Sequence, residues 1–311
     1  MTIIYADHLF EKHLTGYHPE CPERTQASLR FLESLPWFTQ LPRGKLCRAA
    51  EEIIIRTHSA EVLEQAKRKS LEGGGALDAD TYVSSESFEV ALHAVGSALA
   101  AVDDVLRGKA QNAFCLLRPP GHHATPKQSM GFCLFNTIAI AAHYARDVFN
   151  HDRILIVDYD VHHGNGTQDI FYADSRVHFM SIHRHPFYPG TGTALETGTG
   201  DGLGATLNIP MAFGCTRAQF LDRFRKGLDI MVERCKPELI LISSGFDAHK
   251  DDPVGSLGLE REDYISLTNW IMEAAKAHAK ARIVSVLEGG YNLQTLPTLI
   301  AEHCQTLSRG S

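Results

Sequence analysis

The chain has 311 residues, 44% of them hydrophobic, which is enough for one large α/β domain or two small ones around a substantial core. A formal net charge of −7 with no run of Lys or Arg argues against a nucleic-acid surface, although an acidic rim would suit a basic peptide. The opening MTIIYADHLFEKH has neither a basic region ahead of a long apolar stretch nor an Arg-rich amphipathic pattern, and no later segment holds about eighteen uninterrupted apolar residues, so a cytoplasmic protein without membrane contact is expected.

Taken in chain order, TIIY, NAFCLL, RILIVDYD, VHFMSI, LILISS and RIVSVLE read as strands. Between them, residues 85–107, 137–148, 216–234 and 261–280 read as helices, the first opening with SESFEVAL, where Ser and Glu precede the periodic apolar positions. Strands alternating with helices predict a single-domain, three-layer α/β/α fold with a mostly parallel central sheet, spanning residues 1–311. The Gly-rich stretches EGGGALDAD from Glu72 and GTGTALETGTGDGLG from Gly190 read as surface loops within that domain. Neither contains G-x-G-x-x-G between a strand and a helix, and no Walker sequence occurs. The seven cysteines include no C-x-x-C pair, and the nearest two, Cys115 and Cys133, stand eighteen positions apart. Reduced, mostly buried thiols are expected.

In an open parallel sheet the active crevice lies beyond the carboxyl ends of the strands. Here those ends run into RPPGHHA, DYDVHHGNG, HRHPFYPGTG, GFDAH and EGGYN, five turns enriched in His, Asp, Tyr and Gly. Any one could be a polar turn; together they point to one assembled site. In an extended chain, Asp158, Asp160 and His162 project to one side and Tyr159, Val161 and His163 to the other. A carboxylate and an imidazole on that face make half a metal site, and Asp247 of GFDAH, arriving from a neighbouring strand, would complete a three-ligand set with room for water. With no thiolate and an open position, a zinc ion there would act as a Lewis acid and activate water. A lone His or Asp after a strand is ordinarily a loop hydrogen-bonder, and His163, His58, His93, His278 and His303 are read that way. The pair His122 and His123 differs because Pro119, Pro120 and Gly121 fix the chain before it, and two rigidly delivered imidazoles suggest acid/base work.

RPPGHHA, DYDVHHGNGT, GFDAH and EGGYN, in this order and at these separations, resemble the zinc-dependent histone deacetylase family, and GNGT and GFDAH look closer to its class II branch. The resemblance runs from HPECPER at His18 to Asn292. It implies the arginase/deacetylase fold and hydrolysis of the amide of acetyl-lysine or a related acylated amine. By the same resemblance zinc is held by Asp160, His162 and Asp247. Asp158 is then the partner of His122 and Asn165 that of His123. A carboxylate neighbour favours imidazolium far more than an amide does, so His122 would be mainly electrostatic and His123 the general base and then acid. Tyr291 would polarise the scissile carbonyl. Phe132 and Tyr188 would wall an acyl-lysine tunnel, with Tyr188 standing where many relatives have Phe, and the Gly131 carbonyl would accept from the substrate amine. A potassium ion is implied at Asp158, the carbonyls of Asp160 and His162, Ser181 and Ile182.

Three other readings compete. An acetylpolyamine amidohydrolase needs an acidic gatekeeper for remote ammonium groups, and the corresponding position is Val254, which favours acyl-lysine unless another loop supplies the acid. A binuclear manganese hydrolase of the same fold would want a second Asp beyond Asp247, where His249 stands. A non-catalytic acyl-lysine binding module would need none of Tyr291, His122 and His123. Neither the natural substrate nor the oligomeric state is written in the sequence.

Overall fold

ILIVD, LILISS and IVSVL are buried along their whole length, as expected of strands covered by helices on both faces. A computed structural model describes residues 1–309. In chain order the elements are β1 (Thr2–Ala6), α1 (Glu23–Glu33), the short α2 (Pro36–Thr39) and α3 (Glu51–Ile54), and α4 (Ala60–Leu71). The strands β2 (Gly74–Ala76) and β3 (Tyr82–Ser84) follow, then α5 (Ser87–Leu106), β4 (Asn112–Leu116), α6 (Thr137–Phe149), β5 (Ile154–Asp158), α7 (Asn165–Phe171) and β6 (Val177–Arg184). The chain continues with β7 (Thr206–Met211), α8 (Arg217–Cys235), β8 (Leu239–Ser244), α9 (Arg261–His278), β9 (Ile283–Leu287) and α10 (Leu296–Arg309).

Seven strands form one sheet in the order β1-β4-β9-β8-β5-β6-β7, and every pairing in it is parallel. The chain lays down β4, skips ahead to β5, β6 and β7, and returns to insert β8 and β9 between β4 and β5. That return puts the carboxyl ends of β4, β9, β8, β5 and β6 side by side, which assembles the five polar turns at one edge. Alternate residues of the apolar strands supply two separate cores. Ile154, Ile156, Leu239, Leu241, Val284 and Val286 join α4, α5 and α6 on one face. Leu155, Val157, Ile240, Ile242, Ile283 and Leu287 join α1, α8, α9 and α10 on the other.

The four helices read from the sequence are present, and α8 starts with a reciprocal capping box between Thr216 and Gln219. The short α2, α3 and β3, and with them α1, α4, α7, β7 and α10, carry too weak a pattern to be read. Strand β7 contains Pro210, which suits its place at the edge of the sheet. The stretch from Glu72 read as a loop contains β2, paired antiparallel with β3. Two of its three residues are glycine, so no alternation announces it. Among the described residues no helix is long and apolar enough to cross a membrane. The cysteines form no disulfide, and Cys115, Cys133, Cys235 and Cys304 are buried.

One buried ion network ties the segment before α1 to the sheet. Glu20 accepts from Arg118 Nε at 2.5 Å and Nη2 at 2.8 Å and from Arg24 Nη1 at 3.1 Å, and all three side chains are fully buried. Burial alone would raise the Glu20 carboxyl, but the Arg118 guanidinium holds it well below the usual carboxylate range. Arg118 also donates to the Phe10 and His13 carbonyls, and Arg24 to those of Gly290 and Glu288. Glu20→Ala would strand two guanidinium charges, and a loss of about 3–5 kcal/mol in urea unfolding is expected. A loss under about 1 kcal/mol would contradict this account of the network.

Candidate active site and metal centre

Strand β5 ends at Asp158, so the common direction of Asp158, Asp160 and His162 is not a property of the strand. It comes from two successive side-chain turns. Asp158 Oδ1 accepts from the Asp160 backbone N–H at 3.1 Å, and Asp160 Oδ1 accepts from that of His162 at 2.9 Å. Asp247, just past β8, is locked to the same segment through the Val161 N–H, which donates to its Oδ1 at 2.9 Å. The donor atoms of Asp160, His162 and Asp247 thus lie within 4.8 Å of one another, all three side chains buried. His162 Nδ1 stands 3.0 Å from Asp160 Oδ1 and 3.2 Å from Asp247 Oδ2.

These residues fit a divalent cation. Apart from that ion-pair contact with His162, Asp247 Oδ2 is buried without a hydrogen-bond partner, an arrangement that a cation would relieve. Burial and the neighbouring Asp160 charge push the Asp247 carboxyl up to about 7, against the opposing pull of the His162 ring beside it. Two carboxylates and one imidazole suit zinc with open positions. Gly289 and Gly245 make the approach possible, since a Cβ on either would overlap the Asp160 carboxylate. The Gly289 N–H also donates to Asp160 Oδ2 at 2.8 Å, so this glycine serves the metal-binding carboxylate directly rather than only giving the Tyr291 loop its freedom. His249 bonds with the neighbouring Asp251, whose N–H donates to its Nδ1, and is not part of the cluster.

Beyond β4, Glu288 Oε2 accepts from the Gly121 and His122 backbone N–H groups at 2.7 and 3.2 Å and fixes the histidine pair. His122 Nδ1 bonds Asp158 Oδ2 at 2.9 Å, whereas His123 Nδ1 bonds the amide oxygen of Asn165 at 2.7 Å, at the start of α7. An amide oxygen only accepts, so Nδ1 of His123 carries the hydrogen and Nε2 has the lone pair. Burial alone would lower His122, but the Asp158 and Asp160 carboxylates outweigh it and push the imidazole up to about 10. His123, equally buried, is held well below the ordinary range by burial and by the His122 and His162 charges. One imidazole is poised as a cation and its neighbour as a free base, with ring centroids 4.0 Å apart.

A cavity of about 210 Å³ opens over His123 and is lined by it and by His162, Gly131, Phe132, Phe187, Tyr188, Val254, Tyr291 and Asp80. Tyr188 meets His123 edge-on at 5.1 Å, and Phe132 meets Tyr291 at 5.7 Å. Phe132 adopts a left-handed φ of 69°, a strained choice for an aromatic residue. The β2–β3 segment holds it there, with Thr81 Oγ1 accepting from its N–H at 3.0 Å and Asp80 Oδ1 accepting from the Gly131 N–H at 3.2 Å. Tyr291 is 8% exposed, its N–H donates to Asp252 Oδ2 at 2.7 Å, and the Arg24 guanidinium lies 4.8 Å over its ring.

Every residue singled out from the sequence for the metal, the acid/base pair and the tunnel is thus brought to one place. Asp158 and Ser181 are paired in register between β5 and β6, with Ile182 next in line, and Ser181 Oγ shares a hydrogen bond with His183 Nδ1. His163, His58 and His303 are satisfied structurally, each ring nitrogen bonded within the fold. Sequence reasoning misses Phe187, stacked on His162 at 5.1 Å and 15°, along with Asp80, Asp252, Glu288 and Arg24. Phe187 and Glu288 are within its reach, since each stands inside a polar turn that follows a strand; Asp80 gives no signal at all.

The comparisons agree with this geometry. Residues 18–307 match the histone deacetylase domain family. The chain is 39% identical over 311 residues to an uncharacterized protein of Synechocystis sp., covering 99% of each. It is 37% identical over 281 residues to a histone deacetylase-like amidohydrolase of Pseudomonas aeruginosa, covering 90% of this chain and 74% of that one. The crystal structure of the HDA15 HD domain superposes with a TM-score of 0.92 at 31% identity, over 98% of this chain and 87% of that one.

Asn165→Asp would put a carboxylate behind His123 and favour its protonated form. The His123 titration, followed by NMR, is expected to move up by about one unit or more. An unmoved titration would show that Asn165 does not set the proton affinity of His123.

Proposed function

The chain belongs to the histone deacetylase domain family, a family of hydrolases that is generally zinc-dependent, and on that premise we propose that it removes acetyl or other acyl groups from lysine side chains. The observation that carries this reading is the pair of histidines tuned in opposite directions beside a buried Asp-His-Asp cluster with an unpartnered carboxylate oxygen. Zinc bound by Asp160, His162 and Asp247 would supply a Lewis acid for the scissile carbonyl and make a water acidic enough to attack near neutral pH.

The chain's own residues do the rest. His123 Nε2 takes the proton of the attacking water and later delivers it to the leaving amine nitrogen. His122, kept cationic by Asp158, supplies fixed positive charge where the oxyanion develops, and the Tyr291 hydroxyl donates to that oxygen. Phe132 and Tyr188 enclose the four-carbon stem, and the Gly131 carbonyl accepts from the amine side of the substrate. A potassium ion near Asp158, Ser181 and Ile182 and a cytoplasmic location are parts of the same proposal.

One observation favours a second substrate. Val254 supplies no charge at the mouth, but Asp80 lines the cavity and is the acid from another loop that an acetylated polyamine would need. Metal-stripped protein, assayed before and after one equivalent of zinc with an acetyl-lysine peptide and an acetylated polyamine side by side, decides between them. Zinc-restored turnover of the peptide in preference to the polyamine is expected; the reverse preference would move the substrate to polyamines. Tyr291→Phe is expected to lower kcat roughly a hundredfold or more. Unchanged turnover would overturn the mechanism and return the binding-module reading.

A further inference from the structure

Arg184, the last residue of β6, lies outside the cavity lining yet contacts Phe187 on that lining and Gly255 beside Val254. Its guanidinium sits 4.1 Å from the Phe187 ring and 4.2 Å from the Phe213 ring, between the two aromatic faces. Phe187 in turn lies flat on His162, with 5.1 Å between centroids and 15° between planes. Phe213, Arg184, Phe187 and His162 therefore form one continuous stack from the surface to a metal-facing imidazole. Nη1 of Arg184 donates to the Gly255 carbonyl at 3.2 Å, next to Val254 on the cavity lining. Its backbone N–H donates to the Val161 carbonyl at 2.8 Å, between Asp160 and His162. Nε is buried without a hydrogen-bond partner, so the planar group is held by its faces and by Nη1 rather than by a carboxylate.

Gly255 is itself closely packed. A Cβ there would collide with the Asp247 carbonyl and with Val161, which places this turn hard against the metal-binding segment. A planar, delocalised cation suits a slot between two rings and can bond in its own plane at the same time. A lysine ammonium, a strongly hydrated point charge, cannot do both.

We propose that Arg184 is a positioning residue for the metal centre: stacked between Phe213 and Phe187 and tied to Gly255, it holds Phe187 against His162 and joins the tunnel wall bearing Phe187 to the wall bearing Val254. This rests on the reading of Asp160, His162 and Asp247 as a zinc site with an acyl-lysine tunnel above it. Ligand orientation set by neighbouring residues governs metal affinity, and losing such support weakens binding by roughly ten- to a hundredfold in known sites.

The test compares the unsubstituted protein with Arg184→Lys, Arg184→Met and Phe213→Ala. The last trims a side chain that is 68% exposed and leaves the fold intact if Arg184 variants do not. Zinc affinity of the metal-free proteins is measured by chelator competition, well below each melting temperature, and KM and kcat are measured separately on acetyl-lysine and butyryl-lysine peptides. Both Arg184 variants are expected to bind zinc at least fivefold more weakly, and Phe213→Ala to shift the same way by less. The butyryl-to-acetyl ratio of kcat/KM is expected to change at least threefold, chiefly through KM. A merely structural arginine would lower the melting temperature and leave zinc affinity and the ratio where they were. Zinc affinities within twofold of the parent in all three variants, with the ratio unchanged, would overturn the proposal. Failure of the unsubstituted protein to bind zinc would overturn the zinc reading above and this inference with it.

Discussion

The structure depends on how it accommodates buried carboxylates. Glu20, Asp158, Asp160, Asp247 and Glu288 have no solvent exposure, and a carboxylate removed from water is tolerated only when it is paired, hydrogen-bonded or ligated. They are accommodated in several ways. Glu20 is matched by two arginines, Asp158 by a histidine held as a cation, and Glu288 by backbone N–H groups ahead of the histidine pair. Asp160 collects backbone donors from His162 and Gly289. Only Asp247 keeps an oxygen without a hydrogen bond, and that oxygen lies against the ring of His162 in the candidate metal cluster.

The same constraint explains why two adjacent histidines differ so much. Both are buried to nearly the same degree, so desolvation acts on them alike. What separates them is the charge around each ring: the Asp158 carboxylate behind Nδ1 and the nearby Asp160 for His122, and an amide oxygen behind Nδ1 with the His122 and His162 charges nearby for His123. A carboxylate behind one ring and an amide behind the other thus help divide the electrostatic role from the basic one. The backbone then has to hold both rings in place, which the Glu288 contacts to Gly121 and His122 do from the neighbouring strand end.

Much of this is legible in the sequence because it obeys periodicities. Strands such as ILIVD advertise burial on both faces, and chemistry-bearing turns follow five of them, so the amino-acid sequence alone indicates which end of the sheet carries the site. The pairing of His122 with Asp158 and of His123 with Asn165 comes from the family resemblance, and the geometry brings those atoms together. What escapes are features that depend on distant segments meeting. Asp80 reaches the cavity beside a three-residue strand rich in glycine, and Arg24 Nε donates to the Gly290 carbonyl across 266 positions. Phe187 stands one residue from Tyr188, which the resemblance picks out, but its partner is His162, and stacking across a fold leaves no local signature. The common direction of Asp158, Asp160 and His162 follows from the alternation of an extended chain only in part, since side-chain turns rather than strand pleat set it.

The Asp247 oxygen without a hydrogen bond makes the central claim, a single zinc ion held by Asp160, His162 and Asp247, open to one direct observation. Crystals grown from zinc-loaded protein would be measured at energies on both sides of the zinc absorption edge. A single anomalous peak bonded to Asp247 Oδ2, Asp160 and His162 Nδ1, and lost in Asp247→Asn, is the expected result. Two peaks, or one that avoids Asp247, would contradict the account.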